Sequence, residues 1–389
     1  MIAHRIPYPP NKGEKVRAYH ELRHLAERHD VWLACFADDP ADIVHADTLR
    51  QWCRDVLVVP LNRRRATIRA GLRWLTGGTL TEGYFRAAAM ANGLRRWTGA
   101  VRFDVVFAYS SGIAPYALAA EAPRRILDFV DLDSAKWAAY ATQRRFPASL
   151  VFGREAARLH AREQQWARQF DASIFITPTE AADLNAPDAT TRLHVIGNGV
   201  DAPCVPPGPL PSGPHVVFVG MMNYFPNIEA AGWFVREVWP RVRARHHDAT
   251  FSIVGRSPTA GIRALGNTPG VVVTGAVDDV GEYLARSRVS VAPFLTARGL
   301  QNKVLEAMAA RRPVVVTGRI ARSLHGTPGE HFLTADDAAE FADRVIDLIE
   351  DDALASRLVN RAAELVATRY CWATEMSKLA AIVEGAVKP

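Results

Sequence analysis

Short runs of branched apolar residues, each followed by a stretch of helical periodicity, recur along this chain and decide what it can fold into. In the first half they fall at residues 31–36, 56–60, 105–109, 125–129 and 173–177. The first of them follows a helical pattern with apolar positions at Tyr19, Leu22, Leu25 and Ala26. Runs this brief and this continuously apolar predict strands covered on both faces, as in a parallel sheet. A second set occupies residues 215–220, 250–255, 271–274, 289–292 and 314–317, followed by helical stretches at 336–350, 353–368 and 371–387. Proline and glycine crowd residues 202–214 between the two sets and mark a linker. The expected fold class is therefore α/β, with two Rossmann-like doubly wound domains facing a cleft. The expected bounds are 1–202, a linker at 203–214, 215–370, and a final helical segment at 371–389. At 389 residues the chain is long enough for two cores. Only Met1 to Ile6 precede the proline loop at residues 7–10, so either the first strand is short or the true start lies upstream.

Composition narrows the partners. Apolar content of 49% and charged content of 23% are ordinary for a globular protein. No apolar run reaches the ~18–20 residues that span a bilayer, and no secretory signal precedes the first motif. Cys35, Cys53, Cys204 and Cys371 lack metal or disulfide spacing, which predicts reduced thiols and a cytoplasmic location. A net charge of +6 fits anionic partners: sugar nucleotides, anionic lipid headgroups or nucleic acid. No nucleic-acid-binding motif supports the last. Lysine occurs only six times among 47 basic residues, and four of the six (Lys12, Lys15, Lys136 and Lys303) fall inside the motifs below.

Residues 291–317 place a strand, a polar glycine turn, an amphipathic helix and a second strand in one phrase. The turn joins a strand's carboxyl end to a helix's amino end, where open α/β sheets bind ligands and helix amides favour anions. Lys303 and Glu306, three apart, project from one side of the first helical turns. A lysine for phosphate and a carboxylate for ribose hydroxyls suit a nucleotide. A surface Glu–Lys pair stabilising a helix by roughly 0.2–0.5 kcal/mol accounts equally for the spacing.

The phrase Glu306-Ala307-Met308-Ala309 with Pro313-Val314-Val315 resembles the donor-binding signature of family 4 retaining glycosyltransferases, which have the GT-B fold. Gly299 to Lys303, as Gly-x-x-Asn-Lys, resembles the variant in sugar transferases associated with exosortase and PEP-CTERM exopolysaccharide systems. The resemblance implies a hexosyltransferase whose second domain binds the donor and whose last helix crosses back to the first domain. The loop from Pro7 to Arg17 is similar to the family's first strand–helix loop, which touches the diphosphate and the acceptor. This implicates Gly13, Lys12 and Arg17; a proline-rich helix entry with solvated charges is the plain reading. Residues 128–137 resemble the Asp-x-Asp-Ser-x-Lys-Trp signature of the exosortase-linked enzymes, implying that Asp131, Asp133 and Lys136 hold the acceptor. Helix capping by Asp133 or Ser134 explains the same residues. No metal site is expected there.

Two departures stand out. The arginine and lysine that many family members carry after the first strand of the second domain are missing from residues 220–227. Gly220, Asn223 and Asn227 remain as neutral partners, leaving cationic work to Lys303, Arg298 and Arg256, with Gly299 and Asn302 in the same turn. The first glutamate of the usual pair is replaced by Arg298. Residues 198–201, Asn-Gly-Val-Asp, resemble the family's phrase before the hinge, and a tight turn is the reading preferred for them. Residues 62–75 combine arginines with apolar residues at helical spacing; a basic amphipathic helix on an anionic bilayer and a solvated helix face are both consistent with it.

Together these imply a retaining glycosyltransferase that needs no cofactor beyond its co-substrate, a UDP- or GDP-linked sugar. Its acceptor would be a glycan or polyprenyl-linked carrier, in exopolysaccharide synthesis, with contact at the inner membrane face. Lys303, Glu306 and Asp131 are the catalytic candidates. A sugar-nucleotide epimerase of the same architecture and a degenerate, non-catalytic binding protein are the rivals.

Overall fold

The computed structural model describes residues 1–10, 13–200, 209–296 and 300–385. Lys12, Arg298 and Gly299 lie outside them, as do Cys204 and most of the proline-rich segment. The chain forms two compact units, Met1–Gly197 together with the stretch from Glu375 onward, and Asn198–Thr374.

The first unit carries seven parallel strands: β1 (Ile2–Ala3), β2 (Trp32–Ala37), β3 (Asp55–Pro60), β4 (Val105–Tyr109), β5 (Arg124–Val130), β6 (Ala172–Phe175) and β7 (Leu193–Val195). Their order is β3-β2-β1-β4-β5-β6-β7. β1 has only two residues, yet it is central: Ile2 aligns with Ala34 on one side and Ala108 on the other. Phe36, Phe129, Phe170 and Phe175 fill the core on the sheet's faces.

The second unit has six parallel strands: β8 (His215–Val219), β9 (Thr250–Val254), β10 (Val271–Gly275), β11 (Val289–Ala292), β12 (Val314–Val316) and β13 (Leu333–Thr334), ordered β10-β9-β8-β11-β12-β13. Valine, isoleucine and phenylalanine supply nearly all of their buried positions, as doubly covered strands require. In both units the strand order reverses beside the first strand, between β1 and β4 and between β8 and β11. Such reversals open a crevice at the carboxyl ends of the strands.

The boundaries differ from those read in the sequence. Asn198, Gly199 and Val200 join the second unit, because the Val200 amide donates to the Tyr370 carbonyl (2.7 Å) and Asn198 reaches Asn302. The final helix, Trp372–Val383, crosses units near its start: the Gly197 amide donates to Glu375 (2.6 Å), and Arg28 pairs with Glu384 (3.1 Å). β7 and β13 carry no pattern visible in the sequence; edge strands of two or three residues bury too little to leave one.

Candidate donor and acceptor sites

In the second unit the switch point is built around one lysine. β11 runs into residues 293–301, and the helix Asn302–Ala309 follows, held by buried Val304, Leu305, Ala307 and Met308. Its amino-terminal residue before the first turn, Gln301, makes no capping bond through its side chain. Asn302 is fixed instead by Asn198, whose amide nitrogen donates to the Asn302 side-chain oxygen at 2.9 Å. Lys303 extends toward β8, its Nζ donating to Asn227 Oδ1 (2.7 Å) and lying 4.7 and 5.5 Å from the ring centroids of Phe294 and Phe218. An added Cβ on Gly220 would stand 3.0 Å from that ammonium, so glycine keeps the space beside it open. Burial pushes the Lys303 pKa down to about 8, with Glu306 partly offsetting it. A half-buried cation among aromatic rings, bonded to one neutral amide, is short of negative charge. An anion delivered to it gains accordingly.

Glu306 is exposed one turn further on, and the surrounding protein raises its carboxyl above the ordinary range while Lys303 lowers it. Asn227 Nδ2 donates to the Met221 carbonyl (2.8 Å), which orders the loop after β8. The Met222 amide donates to the Arg256 carbonyl (2.9 Å), tying that loop to the one after β9. Arg256 and Asn223 are both exposed beside this junction. Gly255 makes the close approach possible. At φ +151° a Cβ there would meet the Gly220 carbonyl oxygen at 1.7 Å. Gly255→Ala should therefore force the two loops apart, lowering stability by about 1–3 kcal/mol, readable as a lower midpoint in thermal unfolding.

In the first unit a second cluster gathers at the carboxyl ends of β4, β5 and β6. Val130 adopts φ +65°, a conformation costly for a β-branched residue, and turns the chain into Asp131. Lys136, on the helix Asp133–Gln143, bridges Asp131 (2.8 Å) and Asp133 (3.3 Å). Burial opposes ionisation of Asp131, but the Lys136 ammonium outweighs it and keeps the carboxyl below its usual value. Ser111, after β4, donates to Asp133 at 2.9 Å. Glu180, after β6, is hydrogen-bonded to Asp131. Burial, and next the Asp131 charge, raise Glu180 to about 8. Two carboxyls in one hydrogen bond need a proton between them. At neutral pH Glu180 carries it, and Asp131 stays ionised and half-exposed.

Capping does not explain this segment. Leu132 precedes the helix and makes no side-chain cap; Ser134 donates instead to Glu163 and Asp133 accepts from Ser111. Arg17 is the clear correction. Expected at a phosphate or an acceptor, it lies in the interior, bound to Asp128 and Glu21 and donating to the carbonyls of Ile196 and Gly197, both at 3.0 Å. One helical turn from Gly13, which opens the helix Gly13–Arg28, its face points into the sheet rather than toward the loop. Glu180 and Asn198 were not singled out as site residues. The phrase Thr177-x-x-Glu180 after a strand was the available signal for the first, and it is also an ordinary helix start, with Thr177 capping the Glu180 amide. Among the described residues no three His, Cys, Asp or Glu side chains gather as a metal site, and no helix is long and apolar enough to cross a membrane.

Two parallel sheets, each with a reversal in its strand order, match solved structures over nearly the full chain. HepE from Anabaena, crystallised with UDP-glucose, superposes with a TM-score of 0.69 at 14% identity, covering 99% of this chain and 98% of that one. The fold is GT-B. Sucrose-phosphate synthase from Thermosynechococcus elongatus shares the GT-B fold with a TM-score of 0.71 at 15% identity, covering 99% and 98% of the two chains. Within the GT-B fold, residues 213–351 match the family model for glycosyl transferases group 1. These residues contain Gly220, Lys303 and Glu306. A phosphatidyl-myo-inositol mannosyltransferase from Mycobacterium leprae is 32% identical over 151 residues, spanning 37% of this chain and 40% of that relative.

Proposed function

We propose that the protein is a retaining glycosyltransferase of family 4 that moves a hexose from a nucleotide diphosphate onto a glycan or lipid-linked acceptor in exopolysaccharide synthesis. The observation that carries this reading is the Lys303 ammonium, charge-deficient and opened to ligand by Gly220, at the switch point of the group 1 domain. Glycosyl transfer passes through a cationic sugar while negative charge grows on the departing phosphate. Lys303 and the amino-terminal end of the Asn302–Ala309 helix stabilise that charge as it develops. Glu306 takes the ribose hydroxyls. The UDP-glucose held by HepE supports a UDP-linked donor.

The acceptor belongs to the first unit, where the ionised Asp131, braced by Lys136 and Glu180, accepts a hydrogen bond from a sugar hydroxyl. In a same-face displacement the leaving phosphate takes the acceptor's proton, so no separate base is required. The Arg63–Leu75 helix supplies contact with the membrane that carries a lipid-linked acceptor.

The test is calorimetric titration with a panel of UDP- and GDP-hexoses, followed by nucleotide release with and without acceptor glycosides. A single selected donor, with nucleotide release stimulated by acceptor, is the expected result. Release without acceptor dependence, or interconversion of the sugar, favours the epimerase; binding without turnover favours a non-catalytic protein. Glu306→Gln should weaken that donor about tenfold, one lost charge-assisted hydrogen bond, with the thermal midpoint unchanged because the side chain is exposed.

A further inference from the structure

The first unit presents one surface that its fold does not need. Residues 56–81 contain five arginines and no acidic residue; residues 134–154 contain Lys136, Arg144, Arg145 and Arg154, again with no acidic residue. The first segment holds the Arg63–Leu75 helix, on which Ile68, Leu72 and Leu75 are 64%, 60% and 76% exposed. Spaced four and three apart, they share a face, and Arg64 and Arg65 stand exposed at its start. The second segment turns at Phe146, 80% exposed, into the helix Ala148–Gln169, where Leu150 is 46% exposed.

Leu150, Arg154 and Arg158 are each four apart and share one side of that helix, and Phe146 stands just ahead of it. The far end of this row meets the first helix: Arg158 donates to the carbonyls of Trp74 (2.8 Å) and Gly78 (3.2 Å) and stacks over the Trp74 ring. This contact ties the helix that carries Leu150 to the carboxyl end of the first helix, where Leu75 is exposed. Among the described residues Arg64, Arg65, Arg144, Arg145 and Arg154 are exposed with no ion-pair partner, although Arg63 and Arg73 are neutralised by Asp38 and Glu82.

We propose that the Phe146–Leu150–Arg154 stripe is a second membrane anchor, joining the Arg63–Leu75 helix in one face that docks on a bilayer of anionic phospholipid. The proposal rests on the membrane contact proposed above and extends it to an element with no sequence signature of its own. Five large apolar side chains held outward among unpaired arginines match an interface of phosphate over hydrocarbon. A polyanion would engage the arginines and leave Phe146, Leu150, Ile68, Leu72 and Leu75 in water. The Asp133–Gln143 helix starts at the acceptor cluster and ends beside this tip, about 16 Å away along its axis. A docked bilayer therefore lies within reach of a lipid-linked acceptor bound at Asp131.

Sedimentation of the full chain with vesicles tests this, comparing phosphatidylcholine alone with phosphatidylcholine–phosphatidylglycerol mixtures. Wild type should bind the anionic vesicles and be released by salt. Phe146→Ser should weaken binding about tenfold, and the pair R144Q/R145Q about thirtyfold, with thermal midpoints unchanged because these side chains are exposed. If both variants bind like wild type while Leu72→Ser loses binding, the stripe has no part and this inference fails, leaving the helix contact standing. Equal binding to neutral vesicles, or binding to DNA and heparin that outcompetes vesicles, also overturns it. If wild type binds no vesicle, the membrane contact itself is wrong.

Discussion

Replacing Lys303 by alanine is expected to reduce transfer by about 10²–10³-fold, the loss typical when a preorganised group facing transition-state charge is removed. The fold should survive, because Lys303 is a half-buried cation that Glu306 offsets only in part, and its removal relieves a desolvation cost. Single-turnover assays with the donor selected by titration measure the first; thermal unfolding measures the second. The pH dependence carries the same information. With its pKa near 8 in the unliganded protein, Lys303 loses its proton as pH rises through 8. A bound diphosphate holds that proton, so donor affinity should fall above pH 8 and binding should take up protons there. Stability should move the opposite way. Between pH 8 and the unfolded lysine value of 10.5 the unfolded chain binds more protons, so the cost of burying the charge disappears as pH rises. In Lys303→Ala both dependences should flatten; persistence of the alkaline fall in donor affinity would mean another group is responsible.

Arg17→Met is expected to cost about 3–5 kcal/mol, the penalty of leaving buried charges without their partner. Its guanidinium is the counter-charge for both Asp128 and Glu21, and its second face donates to the carbonyls of Ile196 and Gly197. Burial and the neighbouring Asp128 already hold the Glu21 carboxyl well above its usual range, with Arg17 pulling it back. In the variant Glu21, without Arg17 to pull it back, should hold its proton in the folded state at a pH where the unfolded chain has none. Stability then falls as pH rises, so the damage should be partly relieved near pH 5 and greatest at neutral pH. Urea unfolding at the two pH values measures this. A variant as stable as wild type at pH 7 would refute the interior role and return Arg17 to the ligand sites.

The contrast between these two residues shows what the chain's own order specifies. Strand and helix alternation, twice repeated, determined the two Rossmann-like sheets, because doubly covered strands must be apolar at every position and that pattern is local. The 291–317 phrase determined where Lys303 sits for the same reason: strand, turn and helix are contiguous, so their order fixes the geometry. Arg17 and Lys15 lie in an equally suggestive loop-to-helix phrase, but the ends of the strands and helices packed around them decide their role. Lys15 is buried against Asp42, 27 residues away, and Arg17 against Asp128, 111 residues away. Glu180 meets Asp131 only because β5 and β6 are neighbours, and Asn198 meets Asn302 across 104 residues. The packing of the Ala148–Gln169 helix against the end of the Arg63–Leu75 helix likewise depends on Arg158 reaching Trp74. Contacts of that span leave no periodic trace in a sequence, since nothing local constrains the residues that make them. Tertiary packing alone turned one arginine of the loop into a structural ion, while the lysine of the turn donates to the neutral amide of Asn227.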